Sequence, residues 1–362
     1  MQKEIRQRSS GPVAIWLLVG VGMIMVQVLL GGITRLTGSG LSITEWKPIM
    51  GTLPPMNEQD WNTAFEKYKQ IAQYKYINSH FSLSDFKSIF FWEWFHRLWA
   101  RLIAVAFAIP FIIFLVQKRF KKEMVRPMLI LFLLGALQGL VGWIMVQSGL
   151  EDSELLYVSH YKLAIHFILA LGLLCYALWF ALELLVPKEQ VIVNKPLHRF
   201  TVWLLVLLTI QLIYGAFMAG LKAAPAAATW PLINGDLIPG DLHSFGAREF
   251  NGLSFLTGNP LVVHFIHRIL AYILTILVFI AYLKAYKTSG TKIFTKTRAI
   301  PLLLVLLQVL LGILTVLNAT NGGSFIWLAE AHQLVAMLFL LSLVWMLFIV
   351  RRAPGHRNSV PV

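Results

Sequence analysis

Polar and apolar positions along this chain are sorted into long blocks. Eight apolar runs, at about 13–34, 90–117, 127–147, 160–183, 199–220, 260–283, 299–317 and 328–350, are separated by charged or Gly/Pro-rich segments. Each approaches or exceeds the roughly 20 residues with which an α-helix crosses about 30 Å of hydrocarbon. The pattern predicts eight membrane-spanning helices, and an even number returns both termini to one side. The basic start "MQKEIRQRSSGP" precedes a run of full span length with no convincing cleavage site, so that run is read as a retained first span. One polar segment has its own period. "NEQDWNTAFEKYKQIAQY" (57–74) opens on an Asn cap and acids and spaces Trp61, Phe65 and Tyr68 at i, i+4 and i+7. It predicts an amphipathic surface helix, either a lid over an outward-facing site or a headgroup anchor.

Composition agrees with the blocks. Of 362 residues 57% are hydrophobic and 13% charged, and mean hydropathy is +0.70, so the chain is an integral membrane protein. The net charge of +14 is sided. The N-terminus, 117–126, 187–199, 284–298 and 351–357 carry 19 of the 31 Lys and Arg, whereas the short opposite loops near 148–159 and 318–327 carry none. Long translocated loops, here 36–89 and 221–259, escape this bias, so both termini are expected in the cytoplasm. Basic residues scattered through short loops form no nucleic-acid patch. Cys175 is the single cysteine, which excludes an intrachain disulfide and a cysteine-based metal site.

The chain repeats itself. "WFHRLWA" (94–100) matches "FIHRILA" (265–271), and "GALQGLVG" (135–142) matches "VLLQVLLG" (305–312). The first half runs Gln27, His96-Arg97, Gln138, His166; the second runs Gln211, His267-Arg268, Gln308, His332. The expected fold is therefore all-α, two parallel four-helix repeats over 1–185 and 186–362.

Four of the ten histidines, His96, His166, His267 and His332, fall on the even-numbered spans, 17 to 22 residues before the first basic residue on the inner side. At 1.5 Å per residue that is roughly 26–33 Å, which puts all four imidazoles near the outer boundary of the bilayer. A single histidine there is most often a hydrogen-bonded interfacial residue. Two pairs at one depth fit two bis-histidine haem sites, since helices of a bundle can offer axial nitrogens to both faces of a flat macrocycle. Zinc or copper would call for three or more clustered donors. Arg97 and Arg268 follow their histidines and Arg35 ends the first span at the same face. Such cations suit haem propionates, or for Arg97 and Arg268 local helix pairing.

The halves differ at one position. Glu93 lies three residues before His96, and His264 holds the matching place before His267. A carboxylate at this depth is costly unless paired or used. It is read as an acid–base or charge-stabilising group beside the first site, with an ion pair to Arg97 at i+4 as the alternative. Chemistry is thus assigned to the first half and electron transfer to the second. The four glutamines are expected to form interhelical hydrogen bonds. His80, His198, His243 and His356 are expected in water, and Glu330 receives no role.

"GGITRLTGSGLSITEWKPIMGTLPP" (31–55), "EWFHRL" (93–98), "HRILAY" (267–272) and "LAEAHQ" (328–333) resemble the haem A synthase family, over about 13–350. The resemblance implies a bacterial inner-membrane oxidoreductase that converts the ring-position-8 methyl of haem O to formyl through an alcohol. It implies a haem b cofactor on His267 and His332, substrate haem O at His96 and His166, and Glu93 in catalysis. Expected partners are haem O, an electron donor, membrane lipid, the haem-O-forming prenyltransferase, cytochrome oxidase assembly factors and a second copy of the chain. Many members carry a cysteine pair in the first outer loop. This chain has neither cysteine, so no thiol step applies to it. His160 and His264 also depart from the family's residues. Two other readings use the same ligands, a dihaem electron-transfer cytochrome and a haem transporter.

Overall fold

A computed structural model describes residues 2–45, 50–150, 156–240, 242–246 and 248–351. Residues 46–49 of the first motif, the acidic stretch 151–155 and the tail from 352, with His356, lie outside the described residues. Helices α1 (Gln2–Leu36), α3 (Leu83–Val116), α4 (Lys122–Leu150), α5 (His160–Leu185), α6 (Lys195–Gly220), α8 (Pro260–Tyr286), α10 (Ile300–Leu317, preceded by the short α9, Lys292–Thr297) and α11 (Gly322–Ile349) supply the eight spans. They match the eight apolar runs, and the chain is a multi-pass α-helical membrane protein.

Helices that carry histidines pack on helices that carry glutamines: α3 on α1, α5 on α4, α8 on α6 and α11 on α10. Between these pairs α1 also meets α5 and α11, and α6 meets α5 and α11. Their contact buries Leu17, Leu174, Leu204, Met337 and Leu340 in one continuous core. Helix α11 is buried around much of its circumference, as its uniform apolarity requires, while α3, α4 and α10 turn most of their side chains outward. On the predicted inner side two short parallel strands, β1 (Ile192–Val193) and β4 (Val350–Arg351), tie the α5–α6 connection to the end of α11. His198 is part of this tie: its Nδ1 lies 2.7 Å from the Val350 carbonyl, so it is not simply solvated. A hairpin of β2 (Ser244–Phe245) and β3 (Arg248–Glu249) precedes the short α7 (Gly252–Thr257) in the second long outer loop.

The amphipathic helix forms as α2 (Glu58–Tyr68), with the Asn57 side chain accepting from the Asp60 N–H at 2.8 Å. It is shorter than the periodicity predicted. After Tyr68 the chain turns back, and Gln73 and Asn78 converge on the Tyr68 hydroxyl at 3.1 and 2.7 Å. The apolar stripe of α2 meets protein: Phe65 stacks on Phe86 at 5.1 Å and Trp61 meets Phe90 edge-on at 5.0 Å. Phe86 and Tyr68 are fully buried there. At about 1.5–3 kcal/mol per buried aromatic, with the ring pairs adding about 0.5–1.5 kcal/mol each, this cluster fixes α2 on the outer end of α3. That end lies a few turns before His96.

Candidate functional site

The four histidines repeat one local arrangement. Gln27 of α1 donates Nε2 to the backbone carbonyl of His96 at 3.2 Å; Gln138 of α4 does the same to His166 at 3.2 Å, and Gln211 of α6 to His267 at 3.1 Å. Gln308 of α10 bonds the ring directly, its Nε2 lying 3.1 Å from His332 Nε2, while its backbone carbonyl lies 3.1 Å from His332 Nδ1. A carbonyl can only accept, so Nδ1 carries the ring proton and Nε2 the lone pair. At His267 the Gln211 amide nitrogen lies 3.4 Å from Nε2, which assigns the lone pair to the same atom.

The imidazoles of His267 and His332 face each other, centroids 6.5 Å apart and planes at 68°. Two metal–nitrogen bonds of about 2 Å each, with the two ring radii, fill about that span. Among the described residues no three of His, Cys, Asp and Glu converge on one point. An imidazole that presents Nε2 and holds Nδ1–H on a carbonyl, as His332 does, fits a haem-iron ligand.

The ionisable groups around these pairs are heavily engaged. Glu93 is buried, with Oε1 2.6 Å from Arg97 Nη2 and Oε2 accepting from Ser42 Oγ at 2.7 Å and the Ile43 N–H at 2.8 Å. Arg97 continues to the carbonyls of Ile43 at 3.0 Å and Glu45 at 3.2 Å. Arg268 repeats the clamp in the other half, donating Nη2 to the carbonyls of Ala227 and Thr229 at 2.8 and 2.7 Å. Both arginines of the His-Arg pairs therefore hold the outer loop that follows the first helix of their own half. Arg97 also forms the i+4 ion pair with Glu93 that its spacing offered, while Arg268 donates to loop carbonyls. Arg35 sits between the halves: Nη2 donates to the Gly220 carbonyl at 2.6 Å and the guanidinium lies 4.9 Å from the Tyr157 ring centroid.

Two buried polar groups stand without partners among the described residues. His264 is fully buried, one turn before Arg268 in the place that Glu93 has before Arg97, and neither ring nitrogen has a hydrogen-bond partner among the described residues. Glu330 is buried on α11 over Gly32 of α1, and neither carboxylate oxygen has a partner among the described residues.

Residues 14–344 match the family model described as cytochrome oxidase assembly protein. The chain belongs to that family. Its similarity to curated members runs end to end. It is 41% identical to a haem A synthase of Rhodospirillum centenum, over 98% of this chain and 93% of that one. It is likewise 41% identical to a haem A synthase of Nitrosospira multiformis, over 94% of each, and 39% identical to one of Flavobacterium psychrophilum, over 94% of this chain and 98% of the relative.

Proposed function

We propose that the chain is a haem A synthase, an oxidoreductase of haem A biosynthesis that oxidises the ring-position-8 methyl of haem O to formyl through an alcohol. What carries the reading is the opposed His267–His332 pair, 6.5 Å between centroids, in a chain of this family. Residues 186–362 would hold a haem b on those two histidines, and bound there it would supply electron transfer. Residues 1–185 would take haem O on His96 and His166.

The chain's own residues do the rest. Glu93 lies one turn before His96, and Arg97, Ser42 Oγ and the Ile43 N–H hold its carboxylate in place there. Positive charge developing near the oxidised carbon is stabilised by such a preorganised carboxylate. The loop held by Arg97 and the helix α2 docked on α3 cover the outer end of the site and limit water there. Arg35, at the seam of the halves, is the cation best placed for an anionic edge of a ligand. The Lys/Arg bias supports both termini on the cytoplasmic side of a bacterial inner membrane, with histidines toward the outer face.

The test is mass spectrometry of haems extracted from the protein after co-expression with a haem O source in a host without haem A. Haem A or its hydroxylated precursor beside haem B is expected. Two unmodified haems per chain, with an electron donor present, would identify an electron-transfer cytochrome instead.

A further inference from the structure

The four glutamines share a second feature. Each is followed four residues later by glycine: "QVLLG" (27–31), "QGLVG" (138–142), "QLIYG" (211–215) and "QVLLG" (308–312). Residues at i and i+4 stack on one helix face, so each glutamine–glycine pair forms a single small patch. Each patch lies against one of the four histidines. A methyl group built on Gly31 would approach His96 Nε2 to 3.3 Å. On Gly142 it would approach His166 Cε1 to 2.7 Å, on Gly215 His267 Cε1 to 3.4 Å, and on Gly312 His332 Cε1 to 3.0 Å. Two other glycines of α4, Gly135 and Gly139, have no heavy atom within 4 Å of such a methyl, so close approach is not general to these helices.

We propose that the four Q-x-x-x-G segments are ring cradles that fix the orientation of the iron-binding imidazoles, with Gln27, Gln138, Gln211 and Gln308 as positioning residues. The glycine removes the side chain that would otherwise fill the space of the ring. The glutamine amide grips the histidine from one turn away, through its backbone carbonyl in three cases and through the ring in the fourth. In all four the amide oxygen is buried without a partner among the described residues. A histidine on a bare helix would sample several rotamers. One held between an amide and a glycine floor presents its lone pair in a fixed direction. This inference rests on the haem-ligand reading, because it says how those ligands are held.

The test uses the full-length purified protein with haem bound at His267 and His332. Gln308→Leu and Gln211→Leu remove the grip, and Gly312→Ala pushes a methyl toward the ring. Gly135→Ala is the control. The readouts are the electron paramagnetic resonance g values of the low-spin haem and the rate of haem loss to a scavenging protein. The cradle variants are expected to shift the g values and to raise haem loss about 10–100-fold, as outer-shell partners of metal ligands do. Gly135→Ala should change neither. Should Gly312→Ala fail to fold, Gln211→Leu carries the same test. Wild-type g values and haem loss in Gln308→Leu and Gln211→Leu, with haem lost from His332→Ala, would overturn the cradle alone. Full retention of an unchanged haem in both His267→Ala and His332→Ala would overturn the haem-ligand reading, and the cradle with it.

Discussion

Arg97 donates to Glu93 at 2.6 Å across one turn of α3, and the same two side chains hold the backbone of Ser42 to Glu45 from both sides. The pair is a structural clamp and a charge beside His96 at once. Its first role predicts instability on truncation and its second predicts loss of chemistry on neutralisation, so two substitutions separate them.

Glu93→Gln keeps the size of the side chain and a hydrogen-bond acceptor for the loop. It is expected to retain haem at both sites and to make no haem A, as read by mass spectrometry of extracted pigments. Normal haem A output would remove Glu93 from the chemistry. Both variants leave the Arg97 charge uncompensated, but Glu93→Ala also strips Arg97, Ser42 Oγ and the Ile43 N–H of their shared acceptor. Buried donors left unmatched cost about 1–3 kcal/mol each, so this variant should melt well below Glu93→Gln in detergent. Equal melting of the two would mean that the clamp adds little.

Arg268 offers the same experiment without a carboxylate in the way. Its donors end on Ala227 and Thr229, and hydrogen bonds to a charged group are each worth about 1.5–3 kcal/mol. Arg268→Met should free the segment 224–234 for cleavage by protease added to the outer face of spheroplasts, with haem still bound at His267 and His332. Loss of that haem with the loop still protected would return Arg268 to a ligand role.

How much of this was legible follows from which atoms do the work. The eight spans were readable because hydropathy and spacing are properties of side chains in register. The Asn57 cap and the stripe of α2 were readable for the same reason, though where α2 stops depends on Tyr68 meeting Gln73 and Asn78, a tertiary event. The Glu93–Arg97 ion pair was readable from its i+4 spacing; the loop partners of Arg97 and Arg268 were not, since they are backbone carbonyls of a distant loop and a carbonyl has no sequence signature. The Q-x-x-x-G segments left a signal that one helix could not reveal: a glutamine and a glycine in an apolar span are ordinary, and only the alignment of α1, α4, α6 and α10 against one another makes the spacing recur.

Tyr68 gives a pH-dependent prediction. Burial pushes its hydroxyl up to about 12, from about 10 for a free phenol. A group whose folded value is raised contributes stability that is complete below the unfolded value and is lost as pH rises through the folded one. The docking of α2 on α3 should therefore hold at neutral pH and weaken between about pH 10 and 12. Limited proteolysis of the first outer loop across that range would report it. Tyr68→Phe should flatten the dependence and cost about 1–3 kcal/mol, because it deprives Gln73 and Asn78 of their shared partner. An unchanged alkaline profile in Tyr68→Phe would assign the transition to another group.

Glu330 supplies the sharpest contrast with Glu93. One carboxylate is bonded on both oxygens; the other is buried against Gly32 with neither oxygen partnered among the described residues. An uncompensated polar group in such a place costs about 1–3 kcal/mol, and more when it is charged. Glu330→Met, unbranched and of similar length, should therefore raise the melting temperature of the purified protein. A protein retains such a cost where function needs it, so haem A formation should fall in the same variant while stability rises. A rise in stability with full activity would leave Glu330 without a functional role. A fall in stability would show that the carboxyl is satisfied after all, by a group that binds at the seam of α1 and α11.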